Sequence, residues 1–253
     1  MKKSVFIAEK PSVAQEFAKA LKVKTTRHDG YLESENTIVT WCVGHLVTMS
    51  YPEVYDIKYK RWTLETLPFL PGEFKYEVIP AVRKQFEIVS GLLNRADVET
   101  IYVCTDSGRE GEYIYRLVAQ MAGVKGKKEK RVWIDSQTEE EIIRGIKEAK
   151  DLSAYDNLSA SAYLRAKEDY LMGINFSRIL TLRYGNSVSN YLGNKYQVIS
   201  VGRVMTCVLG MVVRREREIR EFVKTPFYRV LGKFSLEGRS FEGEWRAVEG
   251  SRY

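Results

Sequence analysis

Histidine and cysteine are both scarce, with two histidines (His28, His45) and three cysteines (Cys42, Cys104, Cys207) in 253 residues. A cluster of histidine ligands is thereby excluded. Three cysteines scattered inside apolar stretches read as reduced core thiols rather than a disulfide framework or a zinc site. No apolar run approaches the ~20 residues of a membrane span, and the N-terminal stretch meets an acid at Glu9 too soon for a signal peptide. Internal repeats and low-complexity tracts are missing as well. These absences point to a cytoplasmic chain with no membrane partner. What is present is ordinary for a globular protein, 44% hydrophobic and 29% charged, in a chain long enough to bury a sizeable core. Lys plus Arg 40 against Asp plus Glu 33 gives a net charge of +7, which favours a polyanionic partner without requiring one.

Residues 4–8 form a short apolar strand that runs into Glu9-Lys10-Pro11-Ser12. Ser12 is placed to cap a helix through Val13, Phe17, Ala18 and Leu21. A second strand is expected over residues 37–43, with Gly44-His45 as its turn. Residues 51–71, rich in Pro, Tyr and Trp, have no steady period and read as a long ordered loop. Residues 81–93 have helical spacing, residues 100–104 a strand, and residues 110–121 another helix. The run Lys125 to Arg131 is a charged connector, either a phosphate contact or a solvated loop. A strand over residues 131–134 and a helix opening with a capping box at Thr138 follow. Such alternation predicts an α/β fold, a mainly parallel sheet flanked by helices, over residues 1–150. Residues 155–184 then read as helical, residues 185–197 as a largely polar stretch with Gly185 and Gly193 as breaks, residues 200–218 as a further helix, and residues beyond Pro226 as alternating strands.

The chain is organised around Val103-Cys104-Thr105-Asp106-Ser107-Gly108-Arg109-Glu110-Gly111-Glu112. A strand runs here into an acidic turn that opens a helix, the place where an open α/β sheet usually holds its ligand chemistry. Asp106, Glu110 and Glu112 supply hard oxygens suited to magnesium. The same acids also favour a helix N-terminus through its dipole, and on this segment alone the two readings are even.

Two further stretches resolve that balance: Phe6-Ile7-Ala8-Glu9-Lys10-Pro11-Ser12 and Ser200-Val201-Gly202-Arg203-Val204-Met205-Thr206. A glutamate ending the first strand and acids ending a later one is the layout of a Toprim domain. With Trp41 to Leu46, Tyr59 to Trp62, Asp169 to Arg178 and Arg215 to Ile219 in order, the chain resembles the type IA DNA topoisomerases, within them the bacterial topoisomerase III group. The resemblance implies a Toprim domain over residues 1–150, an α-helical DNA-groove domain over 151–224, and the start of a β-rich arch over 225–253. It implies that Glu9 acts beside the scissile phosphodiester in proton transfer or as a metal neighbour, and that Lys10 stabilises charge on that phosphate. Asp106 and Glu110, with Glu9, would hold magnesium. Arg203 and Arg178 would grip the backbone of single-stranded DNA. ATP would not be needed, and the chain is expected to be a monomer. Glu9 as a helix cap, Lys10 as a surface cation, Arg203 as an ion-pair partner and His45 as structural are the plainer roles.

Two departures qualify the resemblance. The family's acidic motif reads Asp-x-Asp-x-Glu, and the middle acid is Gly108 here, so weaker magnesium binding is expected, with Glu9 or Glu112 as helpers. The family's nucleophile is a tyrosine in an Arg-Thr-Asp-Ser context, which none of the 16 tyrosines has. The chain therefore reads as an N-terminal fragment that supplies the acidic site but not the nucleophile. A Toprim-type nuclease and a noncatalytic nucleic-acid-binding protein are the alternatives.

Overall fold

The computed structural model describes residues 2–246. In chain order its elements are β1 (Lys3–Ala8), α1 (Pro11–Ala20), β2 (Thr26–His28), β3 (Tyr31–Glu33), β4 (Thr37–Trp41), β5 (Val47–Met49), β6 (Tyr76–Val78), α2 (Arg83–Leu93), β7 (Val98–Cys104), α3 (Arg109–Ala122), β8 (Lys128–Arg131), α4 (Glu139–Lys147), β9 (Lys150–Asp151), α5 (Asp156–Leu192), α6 (Arg203–Arg220), β10 (Leu231–Leu236) and β11 (Arg239–Glu244). The chain divides into two compact units, residues 1–203 and 204–253.

A seven-stranded sheet in the order β2-β3-β4-β1-β7-β8-β9 forms the first unit. Its four central strands, β4, β1, β7 and β8, are parallel, and the edges β2, β3 and β9 run antiparallel. The expected mainly parallel α/β sheet is therefore present. Strand alternation sends side chains to opposite faces. Val5 and Ile7 of β1 join Ile101 and Val103 of β7 in a core completed by α2 and α3, while Phe6 and Ala8 face Phe17 of α1 and Ile142 of α4. Each fully buried Ile or Val of these layers contributes roughly 1.5–3 kcal/mol.

Several local expectations need correction. Ser12 lies inside α1, because Pro11, with fixed φ and no N–H to satisfy, takes the first helical turn and Lys10 becomes the N-cap. The charged run is a strand, not a connector: β8 pairs with β7 through Lys128 to Arg131, and the strand expected over 131–134 ends where it was to begin. Its alternation is concealed by charge at every position, with Lys128 and Lys130 exposed and Arg131 fully buried. Gly185 does not break a helix, since α5 runs unbroken for 37 residues to Gly193, whose φ of +68° ends it in the left-handed conformation glycine favours. Residues 51–71 form the expected loop, with three short 3₁₀ turns.

The second unit consists of α6 and the hairpin β10–β11, closed around Gly238 at φ +75°. Its Cys207 is exposed, against the expectation of a core thiol, while Cys42 and Cys104 are buried. Burial, with the nearby Glu9 charge, pushes the Cys42 thiol up to about 12, so it stays protonated and inert. Residues 247–253 of the expected arch lie outside the described residues.

Candidate active site

Parallel pairing of β1 with β7 puts Ala8 opposite Cys104, so the two chains leave the sheet side by side at Glu9 and Asp106. The main chain of Glu9 is fixed by the Gly44 N–H, which donates to its carbonyl at 3.3 Å. The residue is only 8% exposed, and its Oε2 accepts a hydrogen bond from the Asp106 N–H at 3.4 Å. Burial and then the Asp106 charge raise the Glu9 carboxyl above its ordinary value; the Asp106 N–H, Lys10 and His45 act in the opposite sense. Lys10 is exposed, with Nζ 3.9 Å from Glu9 Oε1.

The Asp106 turn is held from beneath by Arg131. Its guanidinium donates to the carbonyls of Val103 (3.0 Å), Thr105 (2.7 Å) and Asp106 (2.7 Å), and to Glu112 Oε2 at 2.9 Å. Glu112 is fully buried and also accepts from Arg116 Nε at 2.9 Å. It is therefore not a helper for a metal but the counter-ion of a buried arginine. Gly111 closes the turn, and a Cβ there would lie 2.1 Å from the Asp106 carbonyl oxygen. Gly108 is different, since its backbone is extended and nothing lies within 4 Å of an added Cβ.

Glu110, on the first turn of α3, is paired with His45, whose Nε2 is 2.5 Å from Glu110 Oε1. Both line a cavity of about 580 Å³ with Gly108, Arg109, Tyr113 and, from across the cleft, Ala162, Arg165, Ala166, Asp169 and Arg203. Arg203 is thus brought to the rim beside Glu110, its guanidinium in a two-pronged pair with Asp169 (2.9 and 3.1 Å). Arg178 lies elsewhere. It is 5% exposed, donates to the Tyr59 carbonyl at 3.0 Å and sits 5.2 Å from the Trp62 ring, beneath the 51–71 loop. Asn175 clamps the same loop, its side chain accepting from the Phe69 N–H (2.6 Å) and donating to the Phe69 carbonyl (2.9 Å).

A feature that escaped the sequence reading carries Arg203 into place. Residues 197–203 run antiparallel along α5, with the Ile199 N–H on Thr181 Oγ1 (2.9 Å), the Val201 N–H on Ser177 Oγ (2.8 Å) and the Gln197 carbonyl over Gly185. The signal was in the sequence: Asp169, Gly173, Ser177, Thr181, Gly185 and Ser189 recur every four residues, a stripe of small residues on one helix face.

The oxygens of Glu9, Asp106 and Glu110 are of the type magnesium takes. Among the described residues, no three of His, Cys, Asp and Glu are grouped to hold a metal ion. Glu9 and Asp106 adjoin, while Glu110 is paired with His45. The donors fit the ion in kind, and two of the three fit it in position.

Two family models match parts of the chain. The Toprim domain model matches residues 4–136, and a model described as DNA topoisomerase matches residues 153–252. A DNA topoisomerase 3 of Bacillus thuringiensis (strain Al Hakam) is 44% identical over 228 residues, covering 90% of this chain and 30% of that protein. The DNA topoisomerase 3 of Shouchella clausii (strain KSM-K16) is 42% identical over 230 residues, and that of Bacillus subtilis (strain 168) 40% over 228, each again with 30% of its length matched. The chain spans about a third of the length of these relatives.

Proposed function

The chain belongs to the Toprim family, and on that footing we propose that it is part of a type IA topoisomerase of the bacterial topoisomerase III group, supplying the acidic half of a strand-cleaving and religating site together with part of a single-stranded DNA path. The observation that carries the proposal is the Glu9 carboxylate on the Asp106 N–H at the ends of two adjoining parallel strands. Glu9, buried and with its carboxyl raised, is suited to exchange a proton at the phosphodiester being cut and rejoined. The exposed Lys10 ammonium beside it stabilises charge on that phosphate.

Asp106, Glu110 and Glu9 would hold magnesium, which when bound supplies positive charge beside the phosphate during religation. Arg203 grips the DNA backbone from the cavity rim. Arg178, buried under the 51–71 loop, supports the DNA path by holding that loop. The nucleophile would be a tyrosine in an Arg-Thr-Asp-Ser context, which these 253 residues do not contain. No helix among the described residues is long and apolar enough to cross a membrane, in keeping with a proposed cytoplasmic site of action. A monomer that needs no ATP, with boundaries near residues 150 and 224, completes the proposal.

A labelled single-stranded oligonucleotide titrated with the chain tests this reading. Salt-dependent binding, weakened by Lys10→Ala and Arg203→Ala, is expected, with no strand cleavage. Magnesium-dependent cleavage without a covalent protein–DNA adduct would replace it by a Toprim nuclease. Binding that ignores Glu9→Gln and Lys10→Ala alike, with no response to magnesium, would leave a noncatalytic binder, the reading that Gly108 favours.

A further inference from the structure

The four-residue series on α5 ends at Asp169, where a small residue is replaced by an acid. Higher in the series, Ser177 and Thr181 hold the passing segment by accepting its backbone N–H groups. Asp169 does something different. Both its carboxylate oxygens accept from Arg203, Oδ1 from Nε at 2.9 Å and Oδ2 from Nη2 at 3.1 Å. That is the fork-to-fork geometry in which an arginine takes a phosphate.

The surroundings are rich in arginine, with Glu110 also on the cavity wall. The pair stands on the rim of the 580 Å³ cavity, with Arg109 and Arg165 on its wall and Ala162 and Ala166 leaving room between them. Arg203, and then Arg165 one turn before Asp169 on the same helix face, hold the Asp169 carboxyl below its ordinary value. The two side chains of the pair are 46% and 42% exposed, so an incoming anion can reach both. An ion pair this open has little to contribute to folding.

We propose that Asp169 stands in for a backbone phosphate, holding the Arg203 guanidinium in phosphate-binding geometry until a single strand enters the cavity and displaces it. The proposal rests on the single-strand reading given above and names the residue that regulates it. An isolated anion gains from Arg203 only what Asp169 gives up, whereas a strand that also reaches Arg109 and Arg165 gains more. The acid thereby favours a polyanionic strand over small free anions.

The test is fluorescence anisotropy of a labelled oligodeoxythymidylate titrated with the 253-residue chain. Asp169→Asn keeps a hydrogen-bonding group but removes the charge. It is expected to tighten binding by roughly two- to fivefold, the range an exposed ion pair commands. The logarithmic salt slope should steepen by about 0.7, one more phosphate neutralised on a single strand. Combined with Arg203→Ala, the substitution should give no gain. If Asp169 merely locks the 197–203 segment, Asp169→Asn will weaken binding or leave it unchanged, which overturns the inference and leaves the single-strand reading standing. A gain that persists without Arg203 also overturns it. Absence of binding by both the parent chain and the variant overturns the reading and the inference together. Should circular dichroism show that the Asn variant has not folded, Asp169→Ser, matching the rest of the series, gives the same readout.

Discussion

Arg131 Nε donates to Glu112 Oε2 at 2.9 Å, and neither side chain has any solvent exposure. Desolvation lowers the arginine's hold on its proton, and the Glu112 charge acts against that. Removing one partner leaves the other charge buried alone. Arg131→Ala is expected to cost roughly 3–5 kcal/mol in urea-induced unfolding, the range for broken buried pairs. Arg131→Lys keeps the charge but loses the fork that serves Glu112 and four carbonyls at once, so it too should destabilise, by less.

The two glycines of the acidic turn should respond differently. Gly111→Ala drives a Cβ into the Asp106 carbonyl and is expected to cost roughly 1–3 kcal/mol or more by overpacking. Gly108→Ala meets open space and an extended backbone, and should leave the melting temperature nearly unchanged.

Gly108→Asp goes further, because it restores a carboxylate beside Asp106. The variant should bind magnesium more tightly than the parent chain, since affinity for a hard cation rises with ligand charge. Calorimetric titration with magnesium chloride would measure this, and equal affinities would count against Asp106 and Glu110 as ligands.

Asn175→Ala removes both hydrogen bonds that hold Phe69 to α5. Phe69 is 1% exposed and packs edge-on against Tyr55, Tyr59 and Tyr170. Loosening it should open the 51–71 loop to limited proteolysis at a stability cost of roughly 1–3 kcal/mol, as for a buried group left unsatisfied.

Acid stability should depend on Glu33. Arg95, at 2.9 Å, and then Lys3, at 2.7 Å, hold its carboxyl below its ordinary value. A carboxyl depressed in the folded state stabilises above its unfolded value, and that contribution is lost as pH falls through the folded value. Glu33→Gln should therefore destabilise at neutral pH and flatten the decline of stability below about pH 4.5, the ordinary glutamate value. Urea titrations at stepped pH would reveal a parallel decline if the pair contributed nothing.

Much of the site could be read from the residues. Two apolar strands ending in acids, at Glu9 and Asp106, needed only to be parallel neighbours to bring those acids together, and they are. Glu112 misled because it was counted with Glu110, although two residues on a helix turn by ~200° and send the side chains to opposite sides. Arg131 was hidden in β8, where every residue is charged, so that hydropathy could not tell the one inward side chain from its neighbours. Arg178 was assigned by its type to phosphate, whereas its burial under Tyr59 and Trp62 is decided by a loop some 119 residues earlier in the chain. Gly185 looked like a helix breaker, but glycine's cost in a helix is small enough for a docked segment to offset.

The stripe on α5 also limits where the gene can gain or lose codons. Four helical residues advance ~6 Å and two extended ones ~6.6 Å, so the two tracks stay nearly in phase for only a few steps. Between Gly185 and Gln197 the chain reverses through Gly193, and an added residue can be absorbed in that reversal. Between Gln197 and Arg203 there is no such slack. One inserted codon would hand the Thr181 and Ser177 hydroxyls the wrong backbone groups and carry the arginine past Asp169. Length variation among relatives should therefore collect before residue 197 and be missing after it.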